Sequence, residues 1–326
     1  MTQPGGGATP PTNTGARLPR ILTVVALAIL LIAALVGVDI VVLSRNNPAQ
    51  AFGPHYYMAL GDSLSFGYQP NLDFSAGFAD DLFNDLHKAN VTAIVNYACA
   101  GESTTSMING GCPGRFAHHG SYTGPQLQAA VNFLKSESNY GRVSPITLEI
   151  GSNDVLKDWD ATACSIAAGA DVDADLATMD ANLTKVILPQ LLDALGARAN
   201  ANNGDLHLLN YYNPYAKDCP GSAPFVHELN DHLAADAAQF RIPVVNVYDA
   251  FGGDRDAAGH ICEYTWMCSQ FHDVHPTDKG YWVIARAVET ALALPGGNPL
   301  PGIAAPRSDV AGPVASLWRR PAGWDV

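Results

Sequence analysis

The chain has 326 residues, of which 48% are hydrophobic and 15% charged, with 30 Gly and 22 Pro, which excludes a disordered acidic chain and a long helical rod. Asp and Glu number 31 against 18 Lys and Arg, a formal net charge of −13. Such a surface repels phosphate backbones, so the charge argues against nucleic acid as the main partner.

The N-terminal part of the chain is predicted to be a membrane-targeting segment. Residues 1–20 are rich in Gly and Pro, and an apolar run whose one charged residue is Asp39 follows over residues 21–43. This run is longer than the apolar core of a cleaved signal peptide and long enough to cross a bilayer. We therefore expect a cytoplasmic segment at 1–20, a transmembrane signal-anchor at 21–43 and a linker at 44–55.

Two other interpretations of this segment stay open. Pro48–Ala51 supplies a helix breaker followed by a small-x-small site, so cleavage after Ala51 would make the protein secreted rather than membrane-bound. The second alternative is a buried helix of a soluble protein, which the acidic Asp39 favours. Both membrane-targeting interpretations place the rest of the chain outside the cytoplasm.

Cysteine usage agrees with export. All six cysteines follow the apolar run and none forms a C-x-x-C pair, so an even set in an exported chain predicts three disulfides. The sequence does not decide the pairing. Short loops favour Cys99–Cys112 and Cys262–Cys268, which leaves Cys164–Cys219.

Five short apolar, β-branched or aromatic runs alternate with helical patterns in the central part of the chain. Each run suits a buried parallel strand, and the alternation predicts an α/β fold with helices on both faces of a parallel sheet. The predicted strands are Tyr56–Leu60, Thr92–Tyr97, Pro145–Ile150, Leu206–Tyr211 and Pro243–Val247. The predicted helices are Gly77–Lys88, Pro125–Ser136, Asp173–Leu195, Ala223–Ala238 and Pro276–Leu292.

The chain after this domain loses its periodic pattern. Residues 293–326 are rich in Pro, Gly and Ala, so we expect a flexible tail. In the alternative interpretation, Trp318 and Trp324 pack back onto the domain.

Chemically capable residues follow four of the predicted strands. In an open parallel sheet, ligands bind outside the carboxyl ends of the strands. Ser63 follows the first strand, Gly101 the second and Asn153 the third, and a long loop after the fifth leads to Asp273 and His275. Together they supply a hydroxyl, two oxyanion donors, a carboxylate and an imidazole, which are the groups that serine acyl transfer requires.

Each of these residue types has a chemical reason to be there. A serine hydroxyl is a poor nucleophile unless a base takes its proton, and His275 is the candidate base for Ser63. The oxyanion needs preformed donors, which the Gly101 N–H and the Asn153 amide can provide, with the Ser63 N–H as a third.

These motifs resemble the GDSL/SGNH hydrolase superfamily. Gly61–Leu64, Asn96–Gly101, Gly151–Asp154 and His275–Pro276 are similar to its four blocks, in the same order. The resemblance covers residues 56–292. It implies a three-layer α/β/α sandwich with a mostly parallel, five-stranded, flavodoxin-like sheet. It also implies that Ser63 is the nucleophile, His275 the base, and Gly101 and Asn153 the oxyanion hole.

The carboxylate departs from the family pattern, which places Asp three residues before the catalytic His. Here that position is His272, and the acid is Asp273. We expect Asp273 to orient His275, with a backbone carbonyl as the alternative. The cysteines resemble those of exported, disulfide-bonded bacterial members, and they would fix the loops after Gly101 and before His275.

The predicted function is that of an exported carboxylic ester hydrolase, an esterase or lipase that uses no cofactor and acts on a lipid or acylated carbohydrate. A surface binding module on the same scaffold and an acyltransferase to a sugar hydroxyl are the alternatives. Metal catalysis is disfavoured because no zinc-type spacing occurs. An α/β-hydrolase is disfavoured because the sequence around Ser63 lacks the final glycine of the nucleophile elbow.

Overall fold

The central sheet forms from the five predicted apolar runs. The computed structural model describes residues 55–89, 91–114, 119–196 and 206–294. Seven strands occur in this part of the chain. They are β1 (Tyr56–Gly61), β2 (Ala93–Asn96), β3 (Val143–Glu149), β4 (Trp159–Asp160), β5 (Ser165–Ile166), β6 (Leu206–Leu209) and β7 (Val244–Val245).

Five of these strands pair in parallel in the order β2-β1-β3-β6-β7. This is the flavodoxin-like order, so the predicted sheet topology is confirmed. The other two strands, β4 and β5, form a small antiparallel ribbon that the sequence analysis did not predict.

Helices cover both faces of the sheet and complete three layers. The helix α2 packs against α11, whereas α4 packs against α7 and α6 packs against α8. The bounds are α1 (Ser63–Phe66), α2 (Phe78–Leu86), α3 (Thr104–Asn109), α4 (Gln126–Lys135), α5 (Ser152–Val155), α6 (Val172–Asn182), α7 (Leu188–Leu195), α8 (Ala223–Gln239), α9 (Val247–Ala250), α10 (Gly253–Tyr264) and α11 (Asp278–Ala291).

The core lies on both sides of β1, which pairs with β2 on one side and with β3 on the other. Residues 57–60 of β1 are fully buried, as is expected for a parallel strand between two helix layers. The one polar group that this stretch buries, the Tyr57 hydroxyl, lies 2.7 Å from the Thr147 hydroxyl of β3. The pair is therefore hydrogen-bonded, and its burial is tolerated.

One predicted helix has an irregular middle. The sequence predicts a single helix over Asp173–Leu195, and the structure divides it into α6, a π-helical turn at Leu183–Ile187, and α7. Pro189 lies in the first turn of α7 and has no N–H to donate to the preceding turn. The wider turn accommodates this missing hydrogen bond.

The segment between β7 and His275 is helical, which corrects the prediction of a long loop. It contains α9 and α10 and a 3-10 turn at Trp266–Cys268. The sequence pattern missed α10 because it buries only Gly253 and Ile261 and is kinked at Asp256. A helix with so small an apolar face shows no clear periodicity.

Three disulfides join Cys99 to Cys112, Cys164 to Cys219, and Cys262 to Cys268. The pairing favoured by the short loops is therefore the pairing found.

The predicted terminal segments lie mostly beyond the described part of the chain. The cytoplasmic segment 1–20, the membrane span 21–43, most of the linker 44–55 and all but the first two residues of the tail 293–326 are outside it. Within residues 55–294, excluding the gaps given above, no helix has the length and apolar character to cross a bilayer. The membrane span stays a prediction.

Candidate active site

The candidate nucleophile lies where β1 turns sharply into α1. Gly61 ends β1 with φ +125°, and a Cβ atom there would lie 1.8 Å from the Glu149 carbonyl oxygen, so only glycine fits. Asp62 caps α1 by accepting a hydrogen bond from the Leu64 N–H at 2.9 Å. Ser63, the first residue of α1, is 9% exposed, which leaves its hydroxyl at the edge of the sheet.

The Ser63 hydroxyl and the His275 imidazole are in hydrogen-bond contact. Ser63 Oγ lies 2.8 Å from His275 Nε2, and His275 Nδ1 lies 2.7 Å from Asp273 Oδ1. The His275 backbone N–H donates to the same Asp273 oxygen at 2.9 Å. The structure thus brings the three predicted residues into one line of hydrogen bonds.

His272, at the usual family position of the acid, is outside this arrangement. Its side chain is exposed, and its backbone is left-handed, with φ +46°. The chain therefore turns at His272 and brings Asp273 back under the imidazole. No backbone carbonyl contacts His275 Nδ1 among the described residues.

Several contacts fix the segment that carries His275. The Trp266 N–H donates to the His275 carbonyl at 3.0 Å, and the Tyr212 hydroxyl donates to the Val274 carbonyl at 2.5 Å. Trp266 follows α10 within the loop that Cys262–Cys268 closes. A disulfide and two hydrogen bonds therefore restrain the imidazole from two directions.

The two predicted oxyanion donors lie on loops that meet beside Ser63. Gly101 has φ +80° in the loop that Cys99–Cys112 closes, and the Asn153 side-chain amide donates to the Glu102 carbonyl at 3.0 Å. Within the described residues, the N–H groups of Ser63 and Gly101 donate to no acceptor. These two N–H groups are therefore available to a ligand.

A buried aspartate couples the same two loops. Asp154 accepts hydrogen bonds from the Thr104 N–H at 2.9 Å and from the Thr104 hydroxyl at 2.6 Å. Asp154 is next to Asn153 in the chain, and Thr104 is three residues after Gly101. This contact therefore fixes the Asn153 amide relative to the Gly101 N–H. Burial raises the pKa of Asp154, and the Thr104 hydrogen bonds oppose that rise.

Sequence reasoning missed a further buried side chain, Gln126 of α4. Its amide accepts from the Gly61 N–H at 2.7 Å and donates to the Gly61 carbonyl at 2.9 Å, so it continues the edge of the sheet beyond β2. The Gln126 amide also donates to the Glu102 carboxylate at 3.0 Å. Burial raises the pKa of Glu102. No local pattern identifies such a residue, because its partner is 65 positions away in the chain.

One group in the described residues has the side-chain types of a metal site. It consists of Cys99, Glu102 and Cys112. Both cysteines are in one disulfide, which offers no thiolate to a metal. This group is therefore not a metal site.

The GDSL-like Lipase/Acylhydrolase family matches residues 59–283. A search of curated protein sequences finds no significant match.

Several solved structures are similar to this chain. An acetylxylan esterase from Geobacillus stearothermophilus is 14% identical over 74% of this chain and 96% of its own, with a TM-score of 0.47. An extracellular lipase from Streptomyces rimosus is 21% identical over 72% and 99%, with a TM-score of 0.44. The esterase EstA from Pseudoalteromonas sp. is 17% identical over 73% and 97%, with a TM-score of 0.43. On the family match, which covers more than half of its length, the chain belongs to the GDSL-like lipase/acylhydrolase family and is a carboxylic ester hydrolase.

Proposed function

We propose that this protein is an extracytoplasmic serine esterase that forms an acyl-enzyme on Ser63. The observation that carries the proposal is the continuous contact from Ser63 Oγ through His275 to Asp273, with 2.8 and 2.7 Å between the paired atoms. A hydroxyl, a base and an orienting carboxylate in this order are what nucleophilic acyl transfer requires.

In the first half-reaction, His275 Nε2 accepts the Ser63 proton while Oγ attacks the ester carbonyl carbon. The Asp273 carboxylate holds the imidazole by its Nδ1–H and stabilises the imidazolium that forms. The tetrahedral intermediate collapses when the imidazolium gives its proton to the leaving alcohol. Water then attacks the acyl-enzyme by the same route and releases the acid.

The oxyanion is held by three donors in this proposal. The N–H groups of Ser63 and Gly101 supply two. The Asn153 amide carries two N–H bonds, and its contact with the Glu102 carbonyl uses one of them, so the other serves the oxyanion. Donors fixed by backbone and buried contacts need little reorganisation during the reaction.

The proposed location outside the cytoplasm is supported by two features of the chain. Three disulfides and no free cysteine occur in the described residues, which suits an oxidising compartment. The apolar run at 21–43 supplies a membrane anchor, or a signal if the chain is cleaved after Ala51. The ester substrate is proposed to be a lipid or an acylated carbohydrate.

The test is hydrolysis of p-nitrophenyl esters from acetate to palmitate by the full chain, produced in an oxidising compartment. Ser63→Ala should lower kcat by several orders of magnitude, as expected for loss of a triad nucleophile. Ser65→Ala is the matched control, because Ser65 is on the same short helix and its buried hydroxyl has no hydrogen-bond partner in the described residues.

The chain-length optimum separates a short-chain esterase from a lipase. If the folded wild-type protein hydrolyses no ester faster than Ser63→Ala does, the esterase proposal is wrong. A binding module or an acyltransferase that excludes water would then explain the same residues.

A further inference from the structure

A buried hydrogen-bond network lies next to Ser63 and uses residues that have no part in the reaction described above. The Asp62 side chain is fully buried. Its Oδ1 accepts from the Leu64 N–H, and its Oδ2 accepts from the Tyr211 hydroxyl at 2.7 Å and the Ser152 hydroxyl at 3.0 Å. One carboxylate therefore joins the segments that follow three strands, β1, β3 and β6.

The chain positions of these partners relate the network to catalysis. Asp62 precedes Ser63, and Ser152 precedes Asn153. The hydrogen bond between Asp62 and Ser152 thus fixes the nucleophile relative to the side-chain amide of the oxyanion hole. A misplacement of about 1 Å between reacting groups can cost about 100-fold in rate, so this distance matters for kcat.

Tyr211 presents its hydroxyl from a rigid backbone. Its N–H donates to Asn230 Oδ1 at 2.9 Å, and its carbonyl accepts from Asn230 Nδ2 at 2.8 Å. Asn230 is a buried residue of α8, so the long helix behind the sheet fixes the strand end. The donor to Asp62 is therefore held in place before any substrate binds.

A second buried acid, Glu149, interacts with Asp62 and affects which of the two carries a negative charge. Both of its carboxylate oxygens are buried without a hydrogen-bond partner in the described residues, and burial together with the Asp62 charge raises its pKa well above the usual range. Burial raises the pKa of Asp62 to about 6, against the hydrogen bonds from Leu64, Tyr211 and Ser152. Repulsion disfavours two charges in this buried pair. Because the three donors all contact Asp62 and none contacts Glu149 in the described residues, the charge is favoured on Asp62.

We propose that Asp62 and Tyr211 are positioning residues that hold Ser63 and Asn153 in register for attack on the ester. The inference rests on the proposed role of Ser63. Ser152 completes the arrangement as the second donor to Asp62. None of the three contacts substrate in this scheme; they act through the two residues that do.

The pH dependence of the arrangement follows from the groups that face Asp62. These groups are Glu149 of β3, Glu102 of the Gly101 loop, His275, Tyr211 and Tyr212 after β6, and Tyr281 of α11. Removing the Tyr211 hydroxyl takes away a donor to the charged form of Asp62, which raises its pKa further. The ionised form is then lost at a higher pH as the solution is acidified.

The test compares Tyr211→Phe with Tyr215→Phe in the full chain, using kcat, KM and the pH profile on a p-nitrophenyl ester. Tyr215 is also buried and lies four residues further along, against Trp159 rather than Asp62. We expect Tyr211→Phe to lower kcat about 10- to 100-fold with KM within about threefold, and to move the acid limb of kcat to higher pH. Tyr215→Phe should leave kcat and the limb unchanged.

Ser152→Ala provides the second variant, so the test does not depend on one substitution folding. It removes the other donor to Asp62 and should shift kcat and the acid limb in the same direction. Wild-type kcat and pH profile in folded Tyr211→Phe and Ser152→Ala would overturn the inference. So would an equal loss in Tyr215→Phe, because the effect would then come from buried tyrosine packing.

Failure of the proposed function gives a different result. In that case the wild-type protein itself hydrolyses no ester and its Ser63 does not react with a p-nitrophenyl phosphonate. The inference about Asp62 would fail with it. A wild-type protein that is active and labelled at Ser63, with an unaffected Tyr211→Phe variant, refutes the inference alone.

Discussion

At Asp273 the geometry shows how a shortened spacing can serve the same purpose as the usual one. The short carboxylate folds back over two residues and accepts both the backbone N–H and the ring N–H of His275, at 2.9 and 2.7 Å. The left-handed backbone at His272 makes this return possible. Orientation of the imidazole thus depends on where the carboxylate lies and not on its distance in the chain.

Asp273→Ala should lower kcat by about 10³- to 10⁴-fold, because an imidazole without its carboxylate loses its preferred tautomer and orientation. The measurement is steady-state ester hydrolysis. His272→Ala is the control, and its exposed side chain predicts a change within about threefold. A greater loss in His272→Ala than in Asp273→Ala would contradict the assignment.

Asn153→Ala should lower kcat by about 10²- to 10³-fold with little change in KM, because its amide acts on charge that develops only in the transition state. Stopped assays at several substrate concentrations separate kcat from KM. Asn132→Ala, at an exposed position of α4, is the control. A loss confined to KM would show that Asn153 binds substrate and does not stabilise the oxyanion.

The sequence pointed to the proposed catalytic residues more readily than to the residues that support them. Short local motifs contain Ser63, Gly101, Asn153 and His275. Each motif follows a predicted strand, and this was enough to predict that the four residues lie close together. Tyr211 contacts Asp62 across 149 positions and follows an apolar strand, where a tyrosine is usually a core residue. Only the folded chain shows that contact.

At the level of elements, two disulfides close loops of the candidate active site, and the third closes a long segment. Cys99–Cys112 closes the loop that contains Gly101, and Cys262–Cys268 closes the turn that contacts His275. Cys164–Cys219 spans 55 positions and joins the β4–β5 ribbon region to the segment after β6. The three should therefore affect activity and stability differently.

Removing Cys164–Cys219 with paired Ala substitutions should lower the free energy of unfolding by about 4 kcal/mol, against about 2 kcal/mol for Cys262–Cys268, because the longer loop loses more entropy. The Cys262–Cys268 variant should instead lose more kcat. Chemical denaturation and ester hydrolysis on both variants provide the comparison. A Cys262–Cys268 variant with wild-type kcat would show that the disulfide does not position His275.

Element order was predictable because buried parallel strands and amphipathic helices leave clear patterns. The ends of the strands were less predictable. Val247 was predicted to end a strand, but it begins α9, because the Asn246 side chain caps that helix by accepting a hydrogen bond from the Asp249 N–H. The π-helical turn and α10 were missed for a related reason. The π-helical turn precedes Pro189, and α10 has too small an apolar face to show a period, so hydrophobic periodicity records neither.

At the scale of the whole molecule, buried carboxyl groups and the net charge of −13 both destabilise the folded state as the pH rises. Burial, with added repulsion from Asp80, raises the pKa of Asp81 to about 7, and burial with the Asp180 charge raises that of Asp236 to about 7. The folded state therefore keeps protons that the unfolded chain releases near pH 4. Stability should fall as the pH rises from about 4 to about 7.

Asp236→Asn should reduce this fall by about 1 kcal/mol or more, because an amide titrates in neither the folded nor the unfolded state, so the difference in bound protons at this position disappears. Denaturant unfolding at pH 4, 5.5 and 7 measures it. Asp193→Asn, at a surface ion pair with Lys135, should leave the slope unchanged. Stability that rises over this pH range in the wild-type protein would contradict the interpretation.

The most direct test of Ser63 as the nucleophile is mass spectrometry of the full chain after reaction with a p-nitrophenyl phosphonate. The hydroxyl of an activated serine attacks the phosphorus of this reagent and displaces p-nitrophenolate, which leaves a phosphonyl group on the serine that is not hydrolysed further. We predict one adduct per chain, on the peptide that contains Ser63, with loss of ester hydrolysis in proportion to labelling and no adduct in Ser63→Ala. Full hydrolysis by an unlabelled Ser63, or inactivation by an adduct on another residue, would contradict the account.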